Sequence, residues 1–373
     1  MSMKGSNIMG IVFANKHDHL IRELTASRAM GSVPFGGRYR LIDFSISNMV
    51  NANISKVGVV TNANYHSLMD HVGTGKAFDL ARKKGGLYIL PPNLYRAGNA
   101  PCSSLEQLIG VRNFIASAVE EYVFLCEADV VSNFDLKKMY RNHLSSGADI
   151  TIGSAKGAAP SGDDVMELKA DESGKITEIL ISPEAKKDCL WSLGCYIIKR
   201  DLLIELIDEA SSHSRTAMNR DIFQRHVDTL HIQSYEIEGY VAVIDSTQTY
   251  IRANMDLLKA ENRNALLRRD YPVMTKVRDE APVRYGLKSR VKNALIADGS
   301  VIEGEVENSV IFRGVKIGKG AVVKNCVLMQ GTVVGDNARL EYVCTDKNVV
   351  IGNDRELKGS DTYQVFIKKA EKV

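Results

Sequence analysis

The chain has 373 residues, 25% of them charged, and its 48 basic and 45 acidic side chains give a formal net charge of +3. That near-balance excludes a bulk electrostatic case for nucleic acid or a membrane surface, and no apolar run approaches the ~18 residues of a spanning helix. The length suffices for two domains with separate cores.

Six cysteines (Cys102, Cys126, Cys189, Cys195, Cys326 and Cys344) form no CxxC pair, which fits reduced, buried thiols in a cytoplasmic protein better than disulfides or zinc. The run Ile8 to Ala14 is too short for a signal peptide and has the pattern of a strand buried on both faces of a parallel sheet. In α/β folds the turn after such a strand receives phosphate, because backbone N–H groups and the next helix N-terminus face the anion. A helix over 45–53, a strand over 56–61 and a helix over 65–72 continue a doubly wound α/β rhythm. Ser104 and Gln107 are spaced as a capping box that opens the next helix. A strand over 122–125 then delivers Asp129 at its carboxyl end, where open α/β sheets bind ligands; Asp135 follows six residues on. A turn or N-cap is the competing role for such an aspartate.

From about Leu295 apolar residues recur at intervals of six, as in Ile311, Ile317 and Val323, then Leu328, Val334 and Leu340. That period is the signature of hexapeptide coils stacked as a parallel β-helix, and favours it over an ordinary antiparallel meander. The boundaries fall as a first domain over 1–270, a linker over 271–290 and a coil domain over 291–373. His17, His19, His66 and His71 show no supported metal-ligand spacing and are assigned to surface or loop positions.

From Arg28-Ala29 through Pro34-Phe35-Gly36-Gly37 and Arg40 to Leu41-Ile42-Asp43-Phe44, the chain resembles the sugar-nucleotide pyrophosphorylases, above all the bacterial glucose-1-phosphate adenylyltransferases of glycogen synthesis. The resemblance implies a Rossmann-like nucleotidyltransferase domain followed by a left-handed parallel β-helix. It runs nearly the whole chain, through Lys175-Ile176, Trp191-Ser192-Leu193-Gly194-Cys195-Tyr196 and Ala253-Asn254-Met255-Asp256-Leu257-Leu258.

The catalytic motifs depart from the family. Asn15, Lys16 and Asp18 stand at the glycines of its AGGxGxR loop, Leu20 at the loop arginine, and Met30 at the lysine of RAKP. Glycines there let backbone approach phosphates without a Cβ clash. Tyr95-Arg96 is similar to the family's YRG, but no GTADA follows, and the sugar-phosphate Glu-Lys pair falls on Ile181-Ser182. The resemblance places an Mg²⁺ aspartate at Asp129. Its second metal aspartate falls on Val243, with Asp245 two residues away and on the same strand face. It also implies a sugar pocket at Tyr95, Ser192 and Gly194, with a core strand as the competing role for the last two, and an effector site for a phosphorylated ligand at Arg38 and Arg40, with a surface ion pair as the competing role for these arginines.

The pattern of kept scaffold and lost chemistry is similar to that of family members that accompany a catalytic homologue. It implies a regulatory or stabilising subunit of a hetero-oligomer, a tetramer by family habit, or self-association, with no nucleic acid or membrane partner. An active adenylyltransferase using Mg²⁺ to make ADP-glucose and pyrophosphate, and a stand-alone sugar-phosphate or nucleotide sensor, are the alternatives.

Overall fold

The computed structural model describes residues 7–61, 64–91, 103–160, 165–182 and 188–373. Ile8–Phe13 is the centre of a nine-stranded sheet. It pairs in parallel with Lys56–Val60 on one side and Tyr122–Glu127 on the other, and Gly86–Leu90 extends that parallel half. Both faces are covered. Met9, Ile11 and Phe13 enter one core with Val123, Leu125 and Ile198, while Ile8 and Val12 enter the other with Ile46, Met49, Val59 and Phe124. This two-sided burial is why the strand reads as a continuous apolar run.

Beyond Tyr122–Glu127 the sheet changes character. The long strand Cys189–Lys199 runs antiparallel to it and to Ile150–Gly157 and Val165–Ala170, so the sheet is mixed rather than parallel throughout. A register shift between Ser192 and Cys195 bulges that strand. Such bulges re-aim side chains beside functional sites.

Local capping explains where helices depart from expectation. Leu41–Asn51 starts four residues before the expected 45, because Asp43 accepts the Arg40 N–H at 2.9 Å and ends the strand-like LIDF segment as a helix. The other Asp43 oxygen meets His71 Nε2 at 2.5 Å. His71 is therefore buried within the helix His66–Val72, not the surface or loop residue expected; burial holds it below its usual pKa, against the pull of Asp43. The capping box of Ser104–Ala116 uses Ser103 and Glu106, one residue earlier than expected. Asp135 N-caps Leu136–Ser146 by accepting the Lys138 N–H at 3.1 Å.

The carboxy-terminal quarter of the chain is a coil of parallel strands. Ile302, Ile317, Val334 and Ile351 stack in register on one face, while Val306, Val323, Leu340 and Leu357 stack on another. Contacts between successive coils recur at seventeen residues, one short of three six-residue sides. The coil already begins with Arg284–Tyr285 paired to Val301–Ile302, ahead of the expected 291. On the second face Lys292, Glu307, Lys324, Glu341 and Lys358 stand one above another, with ion pairs at 3.3, 3.4 and 3.1 Å.

The two domains share an apolar core in which Met30, Phe35, Phe44, Tyr250 and Leu257 meet Val310, Phe312, Met329 and Cys344. Within it Arg28 donates to both carboxylate oxygens of Asp346, at 2.8 and 2.9 Å, and their side chains are only 2% and 3% exposed. The intervening segment is strapped to the first domain by the Met274 N–H on Ser47 Oγ and by Lys276 on Asp70. Among the described residues no helix is long and apolar enough to cross a membrane.

Breaking a buried ion pair on one side leaves an uncompensated charge. Arg28→Met is expected to cost about 3–5 kcal/mol in a urea titration, and the double change Arg28→Met with Asp346→Leu is expected to recover most of it.

Candidate functional site

The turn after Ile8–Phe13, where phosphate is expected, is filled by its own side chains. Thr61 Oγ1 donates to Asn15 Oδ1 at 2.8 Å, and Asn15 Nδ2 donates to Asp18 Oδ2 at 2.6 Å. Asp18 Oδ1 accepts the Met30 N–H at 2.7 Å, and Thr25 Oγ1 donates to the Asp18 carbonyl at 2.6 Å. Burial pushes the Asp18 carboxyl up to about 7, against those Asn15 and Met30 hydrogen bonds. Residues at the family's glycine positions thus knit the loop to itself.

The loop then carries two side chains toward the end of Tyr122–Glu127. Lys16 Nζ pairs with Glu127, and His17 Nδ1 meets Asp129 Oδ2 at 2.5 Å. His17, at φ 64, thus sits in the loop, as expected, with its side chain only 15% exposed. Burial raises the Glu127 pKa and the Lys16 ammonium opposes it. Asp129 is 1% exposed, and its Oδ1 has no hydrogen-bond partner.

A cleft of about 410 Å³ opens beside these groups, lined in part by Trp191, Ser192, Gly194, Tyr196 and Val243. Ser192 Oγ accepts the Gly194 N–H at 3.2 Å. Gly194 has φ +63, and a Cβ there would lie 2.5 Å from the Glu127 carboxyl carbon. Ser192 and Gly194 therefore do line the cleft.

Asp245 does not join it. Its Oδ1 accepts Thr249 Oγ1 at 2.8 Å, just before the helix Thr247–Asp256, and the cleft wall at the second-aspartate position is Val243. Tyr95 lies outside the described residues. Lys16, His17 and Glu127 were missed from sequence. Glu127 stands two residues before Asp129, and the period of a strand puts such positions on one face. That was the available signal.

A second cleft, of about 390 Å³, lies between the first domain, the connecting segment and the coils, and Arg38, Arg40, Lys276, Arg278, Arg313 and Lys347 line it. Arg38 and Arg40 are thus together. Arg40 donates to the carbonyl and hydroxyl of Ser67 at 2.6 and 2.9 Å, and burial lowers its pKa to about 10. Burial, reinforced by Arg40 and Arg28, lowers Lys347 to about 7. The four additional cations come from distant segments and had no local signal.

A cleft at strand ends beside the turn after the first strand, in a domain packed against a hexapeptide coil, fits the class of nucleotidyl transferases. Comparison with known families agrees: residues 19–259 match the nucleotidyl transferase family, and residues 280–364 match the GlmU-like C-terminal hexapeptide family. The chain is 36% identical to the glycogen biosynthesis protein GlgD of Bacillus subtilis over 98% of its own length and 97% of that protein. It is 33% identical to GlgD of Geobacillus stearothermophilus and 32% identical to the glucose-1-phosphate adenylyltransferase of the same organism, each over 85% of this chain and 83% of the relative. The chain belongs to the family of GlgD proteins and glucose-1-phosphate adenylyltransferases.

Gly194→Ala is expected to destabilise by at least about 1–2 kcal/mol from the left-handed backbone alone, read as a lower urea midpoint. The Lys347 pKa sets a second outcome. The amine gains its proton as pH falls through about 7, so inorganic sulfate, whose charge is constant there, should bind more tightly at pH 6 than at pH 8. Lys347→Met should flatten that dependence in calorimetric titrations.

Proposed function

We propose that this chain acts in glycogen synthesis as a regulatory or stabilising subunit of a glucose-1-phosphate adenylyltransferase, assembled with a catalytic homologue in a hetero-oligomer of tetrameric type, and has little catalysis of its own. The observation that carries the proposal is the closure of the nucleotide turn. Lys16 and His17 pair with Glu127 and Asp129 where phosphate clamps would be needed. Phosphoryl-type transfer depends on positioning and cation clamps, and each lost donor removes on the order of 3 kcal/mol of transition-state stabilisation. Several such losses leave almost no turnover.

The residues present do not fit the Mg²⁺ that the family implies. Mg²⁺ favours oxygen donors with several retained waters. Here a valine stands at the second carboxylate position, Asp245 is engaged by Thr249, and the imidazole nitrogen of His17 stands against the remaining aspartate, Asp129. The geometry supports no catalytic step through that ion. Regulation is supported by the basic cleft, whose clustered cations suit a phosphorylated effector. The presence of both a GlgD protein and an adenylyltransferase in Geobacillus stearothermophilus supports a partnership of two homologues.

The test is ADP-glucose formation from ATP and glucose 1-phosphate with Mg²⁺, by the chain alone and mixed with its organism's catalytic homologue. No product alone, with a changed rate or effector response in the mixture, is the expected result. Substantial turnover by the isolated chain, abolished by Asp129→Asn, would sink the proposal.

A further inference from the structure

The mismatch with Mg²⁺ has a positive side, because the donors that are present suit a different ion. His17, Glu127 and Asp129 each offer one ligand atom, and these atoms all lie within 4.8 Å of one another. No other trio of His, Cys, Asp or Glu is placed this way among the described residues. We infer that these three side chains bind one divalent transition-metal ion of the zinc type, held by protein donors without any nucleotide.

The chemistry of the donors sets the choice of ion. One imidazole nitrogen with two carboxylate oxygens is a set that suits zinc and its neighbours, whereas Mg²⁺ and Ca²⁺ prefer oxygen alone. Three protein ligands beside an open cleft leave a position for water. An independent observation points to a bound cation. Asp129 Oδ1 is buried without a hydrogen-bond partner, an unfavourable arrangement for a carboxylate oxygen that a coordinated cation would relieve.

The surroundings are built to hold the donors. His17 sits in the loop that Asn15, Asp18 and Thr25 knit together. The missing side chain of Gly194 leaves room for the Glu127 carboxylate. Lys16 contacts Glu127 through Oε1, which leaves Oε2 as a donor. Carboxylate ligands are commonly oriented by such outer hydrogen bonds. Lys16 is therefore a positioning residue in this site. The inference goes beyond the proposed role: it concerns what occupies the cleft, and its test reads binding rather than product formation.

The experiment uses the full chain, stripped with a chelator, dialysed against Zn²⁺ or Mg²⁺ and assayed for bound metal. Trp191, the only tryptophan in the chain, lines the same cleft as His17 and Glu127, so quenching of its fluorescence by Co²⁺ is a local readout. One Zn²⁺ per chain is expected, with Mg²⁺ at equal concentration failing to displace it. Binding should weaken at least about tenfold to a hundredfold in His17→Gly, which keeps the positive φ without strain, and in Asp129→Asn; thermal melts establish that each variant is folded. Zinc retained unchanged in both folded variants would overturn the inference, as would Mg²⁺ binding as tightly as Zn²⁺. Failure of the wild type to bind, with binding gained in Lys16→Met, would overturn it too and make Lys16 the permanent cation of the site.

Discussion

Arg28 and Asp346, 318 residues apart in sequence, meet as a bidentate pair in the apolar seam between the sheet domain and the coil. Removing either charge alone would leave the other uncompensated in that seam, so the pair ties together the two segments that carry it. Arg28 ends the segment whose loop closes over Glu127 and Asp129. Asp346 directly precedes Lys347 in the wall of the basic cleft. One buried contact thereby sets the position of the altered nucleotide turn and of the candidate effector site together.

The two clefts follow opposite electrostatic logic. In the first, the chain brings its own cation to buried carboxylates, so no external phosphate is needed to order the loop. In the second, cations crowd together and their mutual repulsion, added to burial, depresses Lys347. The first cleft, with a lysine already set against its carboxylates, has no surplus positive charge to draw an anion. The second has that surplus.

The scaffold was legible in the sequence because its motifs describe local contacts. Pro34 to Gly37 and Ala253 to Leu258 persist together since Tyr250 Oη donates to the Pro34 carbonyl at 2.6 Å and Asn254 Oδ1 accepts the Gly36 N–H at 2.9 Å. The six-residue apolar beat announced the coil for the same reason, each beat being one inward side chain. The antiparallel half of the sheet was not legible, because strand patterning does not state which neighbour a strand takes. Nor was the role of Lys16 and His17. Their positions read as losses relative to the family's glycines, while what they gained lies across the fold, 111 and 112 residues away. Asp245 shows the converse: spacing placed it on the right face, yet a nearby threonine hydroxyl claimed it first.

The stacked charges on the coil have a consequence for how the domain could change length. Lys292, Glu307, Lys324, Glu341 and Lys358 alternate in sign from one coil to the next. Excising the single coil that carries Lys324 would set Glu307 directly against Glu341, and like charges opposed across paired strands are destabilising. Removing two coils restores the alternation. Growth or shrinkage of this domain is therefore favoured in even steps, a parity rule written in surface charge rather than in its apolar interior.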